Sequence, residues 1–150
     1  MGPWRHIASG FARGREGSAV VELAALLPCL MLVGLGAADS AILLHQSHRV
    51  EQGLELAGSY LSKTEMPSSH YSQARQLALT GDTSGGNARV SGWQAADITI
   101  TERGVSGSYR NGARIVRLES SHSYQSPLGF LKTALGRDLT VRGVFEVRLG

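Results

Sequence analysis

The chain of 150 residues contains a single cysteine, Cys29, and this scarcity excludes both an intramolecular disulfide and a metal site built on thiolates. We expect the Cys29 thiol to be a small buried hydrophobe. Basic residues outnumber acidic residues by only 15 to 12, and they are scattered singly rather than gathered in a stripe beside aromatic residues. Because a nucleic-acid surface needs such a gathering, nucleic acid is not an expected partner.

Signatures of catalysis are also missing from the sequence. It contains no GxSxG motif, no HExxH motif and no phosphate-cradling glycine loop between a strand and a helix. His45, His48 and Glu51 could be drawn as metal ligands, yet three such residues on one helical face are common by chance. We therefore expect no enzymatic activity, no cofactor and no metal ion.

What the sequence does contain is a long apolar stretch, residues 19–38, whose one charged member is Glu22. A helix of that length measures about 30 Å at 1.5 Å per residue, which matches the hydrocarbon core of a bilayer. The stretch predicts one membrane-spanning helix, with membrane lipid as a partner. Pro28 removes one backbone hydrogen bond inside it, and this proline either kinks the helix or is simply tolerated there.

The charges that flank the apolar stretch predict its orientation. Arg5, Arg13 and Arg15 precede it, whereas Asp39 follows it directly. The positive-inside rule then places the N-terminus in the cytoplasm and residues after about Ile42 outside.

A rival interpretation is a secretory signal peptide, with Gly36 and Ala38 as the small residues at a cleavage site. The apolar stretch exceeds the usual 7 to 15 residues of such a peptide, and it contains a glutamate and a proline, neither of which suits one. The helical apolar pattern also continues past this site to about Ser62, before Pro67, which predicts an amphipathic extension of the same helix. The apolar positions of this extension are Leu43, Leu44, Val50, Leu54, Ala57, Tyr60 and Leu61.

Beyond Pro67 the sequence predicts a small α+β domain. A short helix capped by Ser68 or Ser69 should end near Gly81, and an apolar turn of helix should lie between Pro127 and Gly136. Alternating, β-branched runs predict strands at residues 97–102, 113–124 and 139–149, with a hairpin apex at Asn111 and Gly112 and with His122 on the sheet surface. Because so few strands cannot bury enough area alone, the amphipathic half of the long helix should cover one sheet face.

Two motifs in the sequence resemble known proteins. The segment GSAVVE, Gly17–Glu22, resembles a type IV prepilin processing site. More narrowly, RGREGSAVVELAALLP followed by an acid at the far end of the apolar stretch resembles the TadE-like proteins, which are pseudopilins of the tight-adherence (Flp) pilus. Asp39 stands where members of that family usually carry the acid. The C-terminal segments ARIVRLESSHSYQSPLGFL and LTVRGVFEVR resemble the family more thinly.

This resemblance implies a pilin-like fold and a function. Residues 1–17 would be a leader, 18–41 a transmembrane helix, 42–66 its amphipathic continuation and 67–150 an extracytoplasmic domain. The protein would be a minor pilin or pseudopilin of the bacterial inner membrane, processed by a prepilin peptidase and working with other pilins and assembly-platform proteins.

The residues of the processing motif suit that role physically. Gly17 lets the backbone enter a peptidase cleft closely, and Ser18 is small enough to follow. Glu22, four residues on, returns to the helical face of the new N-terminus, whose amine it could pair with. The alternative is an uncleaved, signal-anchored envelope protein in which Glu22 reaches the membrane surface and the outer domain is a binding module.

Overall fold

A computed structural model of the chain describes residues 15–64, 67–104 and 114–149. It contains a long helix followed by a small antiparallel sheet, which confirms the expected α+β fold. The predicted leader, apart from its last residues, and the predicted hairpin apex at Asn111 and Gly112 lie outside the described residues. The helices are α1, Arg15–Ser62, α2, Tyr71–Thr80, and α3, Phe130–Leu135; the strands are β1, Ile98–Gly104, β2, Arg114–Ser123, and β3, Thr140–Leu149.

The chain divides into two compact units between Ala38 and Asp39, within the long helix α1. In the first unit, residues 18–38 are exposed apart from the half-buried Gly36. Helix α1 is long and apolar enough to cross a membrane, with a window of mean hydropathy 2.2. Cys29 is exposed, so the expectation that its thiol is buried was wrong. The physical reason is that the apolar side chains of this stretch do not pack into a protein core.

The second unit has a three-stranded sheet in the order β1-β2-β3, with both pairs antiparallel. Its central register pairs Leu118 with Ile100 on one side and with Phe145 on the other. The last third of α1 covers one face of the sheet, and two glycines allow the close approach. A methyl group at Gly58 would lie 2.5 Å from the Phe145 ring, and one at Gly143 would lie 2.9 Å from Leu54.

The core confirms most of the predicted apolar face of α1. Leu44 is the exception, because it is 61% exposed. The fully buried members on α1 are Val50, Leu54, Ala57 and Leu61, and they share the core with Val116, Leu118, Ile98 and Val141 of the strands.

The predicted N-cap of α2 was wrong, whereas its predicted end was right. Ser68 and Ser69 do not cap α2, because they lie in a 3-10 turn, Pro67–His70, and His70 takes the N-cap position without a side-chain capping hydrogen bond. The predicted end is confirmed, since Gly81 closes α2 in the left-handed conformation at φ 85°.

His122 is not on the sheet surface, because the even-numbered residues in the second half of β2 face the core. It is 5% exposed, and its Nδ1 lies 3.5 Å from Asp97 Oδ2.

Candidate functional site

The predicted processing residues lie at the start of α1, which begins at Arg15 and therefore includes Gly17 and Ser18. The Ser18 hydroxyl donates a hydrogen bond to Glu22 Oε1 at 3.3 Å, across one helical turn. The neighbouring Val20, Val21 and Leu23 are exposed. The four-residue spacing thus places the Glu22 carboxylate beside Ser18, among apolar side chains that are exposed rather than packed in a protein core.

Pro28 lies inside α1, and the helix continues through it to Ser62. The proline has no N–H to donate, so one carbonyl of the preceding turn lacks its usual helical partner. The structure therefore shows that Pro28 does not end the helix.

Asp39 opens the second unit, and its side chain is fully buried. Three donors surround the carboxylate. The Tyr124 hydroxyl lies 2.7 Å from Oδ1 and 3.0 Å from the Asp39 carbonyl oxygen, whereas the Ser126 hydroxyl lies 2.7 Å from Oδ1 and 2.6 Å from Oδ2. The Leu131 N–H donates to Oδ2 at 2.9 Å. Burial of a carboxylate is costly unless it is hydrogen-bonded, and these charge-assisted bonds offset that cost.

All three donors come from one segment, residues 124–131, which leads from β2 into α3. The segment is shaped by its own hydrogen bonds: the Tyr124 N–H donates to the Leu139 carbonyl at 2.8 Å, and the Gly129 N–H donates to Ser126 Oγ at 2.6 Å. Gly129 adopts φ 67°, a left-handed conformation that glycine takes at little cost and that turns the chain into α3. Asp39 then accepts from a first-turn N–H of α3, a group that has no partner within its own helix.

Asp39, Tyr124, Ser126 and the Leu131 N–H are together called the Asp39 cluster. Burial within this cluster changes the pKa of Tyr124. Burial raises the pKa of Tyr124 to about 12, and the hydrogen bond to Asp39 adds to the effect because it holds the phenol proton. Tyr124 therefore keeps its phenol proton over the physiological pH range.

The sequence placed Asp39 at the end of the apolar stretch, where TadE-like proteins carry an acid, and indicated no partner for its side chain. Its partners are 85 to 92 residues away along the chain, so no local pattern pointed to them. The polar pair Tyr124 and Ser126, at the end of a predicted strand and before an apolar turn, was the one signal, and it is too common to be specific.

The histidines of α1 do not assemble with other ligands. His48 Nδ1 lies 3.6 Å from Glu51 Oε2 in an exposed pair. In the part of the chain that the structure describes, no group of three or more histidine, cysteine, aspartate or glutamate side chains could hold a metal ion.

The model of one family, TadE-like protein, matches residues 17–57. This segment of the chain is TadE-like. The match confirms the resemblance inferred from the N-terminal motif, and it covers Gly17, Ser18, Glu22, Pro28 and Asp39; the C-terminal segments that resemble the family more thinly lie beyond it. It indicates a membrane-anchored protein related to the Tad pilus. No curated protein and no solved structure matches the chain.

Proposed function

We propose that this protein is a minor pilin or pseudopilin that acts in the assembly of a Tad/Flp-type pilus. One observation carries the proposal: the TadE-like match begins at Gly17, the residue where the predicted leader ends and after which the apolar stretch starts. An uncleaved anchor would leave that coincidence unexplained. A prepilin peptidase removes residues 1–17, and Ser18 becomes the new N-terminus.

The exposed apolar surface of residues 18–38 supports a membrane anchor. In lipid these side chains contact acyl chains, and during assembly they contact the matching helices of other pilins. The outer domain then lies on the extracytoplasmic side of the bacterial inner membrane, as the arginines before the span favour.

Glu22 supplies the assembly chemistry in this proposal. Cleavage turns the peptide N–H of Ser18 into a free amine. The Glu22 carboxylate, which lies beside the Ser18 hydroxyl in the structure, then pairs with this amine on its own chain or on a neighbouring subunit. Taking two charges out of water costs much of what their attraction provides, so such a pair selects register more than it adds stability. Register is what a subunit needs when it stacks against other pilins.

The first experiment is N-terminal mass analysis of the protein purified from its native envelope. We expect a terminus at Ser18 and no intact leader. Gly17→Ile, which puts a branched side chain at the cut, should leave the leader in place, whereas the matched Gly14→Ile should be processed as the parent is. An intact leader on all of the parent protein, in cells with an active prepilin peptidase, would favour the signal-anchored binding module instead. A terminus at Asp39 would establish the secretory rival.

A second variant tests the role of Glu22 once cleavage is established. Glu22→Gln keeps the side-chain volume and removes the charge, so leader removal should persist while co-purification with pilus components falls. Leu26→Ala, one turn further along α1, is the uncharged control and should do much less. Normal assembly of Glu22→Gln with normal leader removal would contradict the pairing.

A further inference from the structure

The segment that contains α3, residues 127–137, presents apolar side chains to the outside. Leu128 is 48% exposed and Leu135 is 50% exposed, and none of the residues of α3 is buried. Pro127 and Ala134 are exposed as well, and Phe130 is half-buried. Within α3 itself, Leu131 is the residue that packs against the hydrophobic core. Apolar side chains gathered in so short a segment mark a contact surface rather than a scatter of single exposed residues.

The hydrogen bonds of Asp39 fix where this segment lies along the protein. Asp39 is bonded covalently to Ala38, the last residue of the apolar stretch, and its carboxylate accepts the Leu131 N–H at 2.9 Å. The Ser126 hydroxyl, just before Pro127, binds the same carboxylate. The α3 segment is therefore held one hydrogen bond away from the residue at which the chain leaves the apolar stretch.

We propose that the α3 segment is a second membrane contact, which lies in the headgroup region of the outer leaflet and inserts Leu128 and Leu135 toward the acyl chains. The inference rests on the proposed membrane anchoring of residues 18–38. Lipid is the occupant because the segment is hydrogen-bonded to Asp39, the residue that directly follows the apolar stretch, so a bilayer around residues 18–38 would end close to this segment. A segment whose helix has six residues is far too short to cross a bilayer.

The polar residues of the segment agree with a position at the surface. Lys132 pairs with Asp138 at 2.8 Å, both side chains being well exposed, and Arg137 is exposed beside them. Segments that lie in the plane of a membrane combine apolar side chains on one side with basic residues that face the headgroups and water. On this proposal the outer domain contacts the bilayer at the α3 segment as well as at Asp39, where the chain leaves the apolar stretch.

The test measures the depth of labelled side chains in vesicles that contain the purified full-length protein as the one protein component. An environment-sensitive fluorophore is attached to Leu128→Cys or Leu135→Cys, each in a Cys29→Ser background. The vesicles are phosphatidylcholine, with or without phosphatidylcholine that carries a nitroxide near the headgroup end of its acyl chain. Ser59→Cys is the matched control, because Ser59 is exposed on α1 and lies 20 residues, or about 30 Å of helix, beyond Asp39.

We expect the nitroxide lipid to quench labels at positions 128 and 135 severalfold more than the label at position 59, at every protein-to-lipid ratio. The native Cys29, labelled in the parent chain with a nitroxide deeper in the acyl chain, reports separately on the anchor. Quenching at Cys29 with positions 128 and 135 no more quenched than position 59 would overturn the inference and leave the proposed anchoring intact. An unquenched Cys29 would overturn both. If the fluorophore at position 128 or 135 reports an apolar environment only at a high protein-to-lipid ratio, the segment contacts another copy of the protein. That result would also overturn the lipid contact.

Discussion

The environment of the Asp39 side chain in the structure differs from the one that its neighbours in the sequence indicate. Asp39 follows an apolar stretch directly, so local patterning makes it a boundary charge of the span. In the structure its carboxylate is fully buried and receives hydrogen bonds from Tyr124, Ser126 and the Leu131 N–H. A buried acceptor with three donors is stabilising only while all of them are in place, because each donor left without a partner costs free energy.

The first prediction at this scale concerns the charge of Asp39. Asp39→Asn keeps the size of the side chain but weakens the charge-assisted bonds and turns an N–H group toward other donors, so the free energy of unfolding of the outer domain should fall by about 2 kcal/mol or more. Urea unfolding followed by the fluorescence of the buried Trp93 measures it. Asp138→Asn, which removes an exposed partner of Lys132, should cost less than about 1 kcal/mol. Equal losses in the two variants would contradict the role of the cluster.

The second prediction concerns Tyr124 and pH. Its folded-state pKa of about 12 lies above the usual value of about 10, so the folded state holds the phenol proton more tightly than the unfolded state does. This contribution to stability is complete below pH of about 10 and is lost as the pH rises from about 10 toward 12. The slope of unfolding free energy against pH in that window should be shallower in Tyr124→Phe than in the parent. Tyr71, whose pKa burial and Glu102 also raise to about 12, should contribute a second, separate part of the slope.

At the scale of elements, the sequence predicts the strands to within one or two residues because alternation with β-branched residues is a local signal. The predicted strand at 113–124 is β2, Arg114–Ser123, and the predicted strand at 139–149 is β3, Thr140–Leu149. The prediction that His122 lies on the sheet surface was wrong, because it followed the polarity of histidine, whereas the alternation along β2 places His122 on the same buried face as Val116 and Leu118. Contacts between elements depend on register and close approach, and no local pattern encodes either of them.

Close approach between α1 and the sheet gives the third prediction. Gly58→Ala should improve helix propensity by up to about 1 kcal/mol, yet the added methyl group would lie 2.5 Å from the Phe145 ring. Overpacking of this kind costs about 1 to 3 kcal/mol, so we expect a net loss of stability in urea unfolding.

Two further variants check the cause of that loss. Phe145→Leu should absorb part of it in the double variant, which a double-mutant cycle detects. Gly34→Ala is the helical control, because among the described residues no atom outside the local helix backbone lies within 4 Å of the added group. A stabilised Gly58→Ala would mean that α1 does not pack as closely as described.

At the scale of the whole molecule, α1 joins an exposed apolar stretch to a domain with its own core, and the boundary between the two units falls between Ala38 and Asp39. The sequence predicts both halves, because hydropathy and helical periodicity are properties of contiguous residues. It did not predict the α3 segment beside Asp39, since that proximity rests on hydrogen bonds between residues 85 to 92 positions apart.

The fourth prediction is the topology of the chain. The arginines before the span and their absence just after it favour a cytoplasmic N-terminus, so a reporter fused after Gly150 that works only outside the cytoplasm should be active. The matched fusion to a reporter that works only in the cytoplasm should be silent. The reverse pair of results would overturn the orientation and, with it, the side on which the outer domain lies.

The distance along the chain between Asp39 and its donors has a consequence for the order of events during synthesis. At roughly 5 to 20 residues per second, the ribosome adds Tyr124 several seconds after Asp39. During that interval the carboxylate lacks its three donors, and the sheet lacks β3 and most of β2. The apolar stretch is therefore complete before the domain that follows it can close. The Asp39 cluster is therefore completed late, when a segment made late in synthesis takes a charge made early out of water.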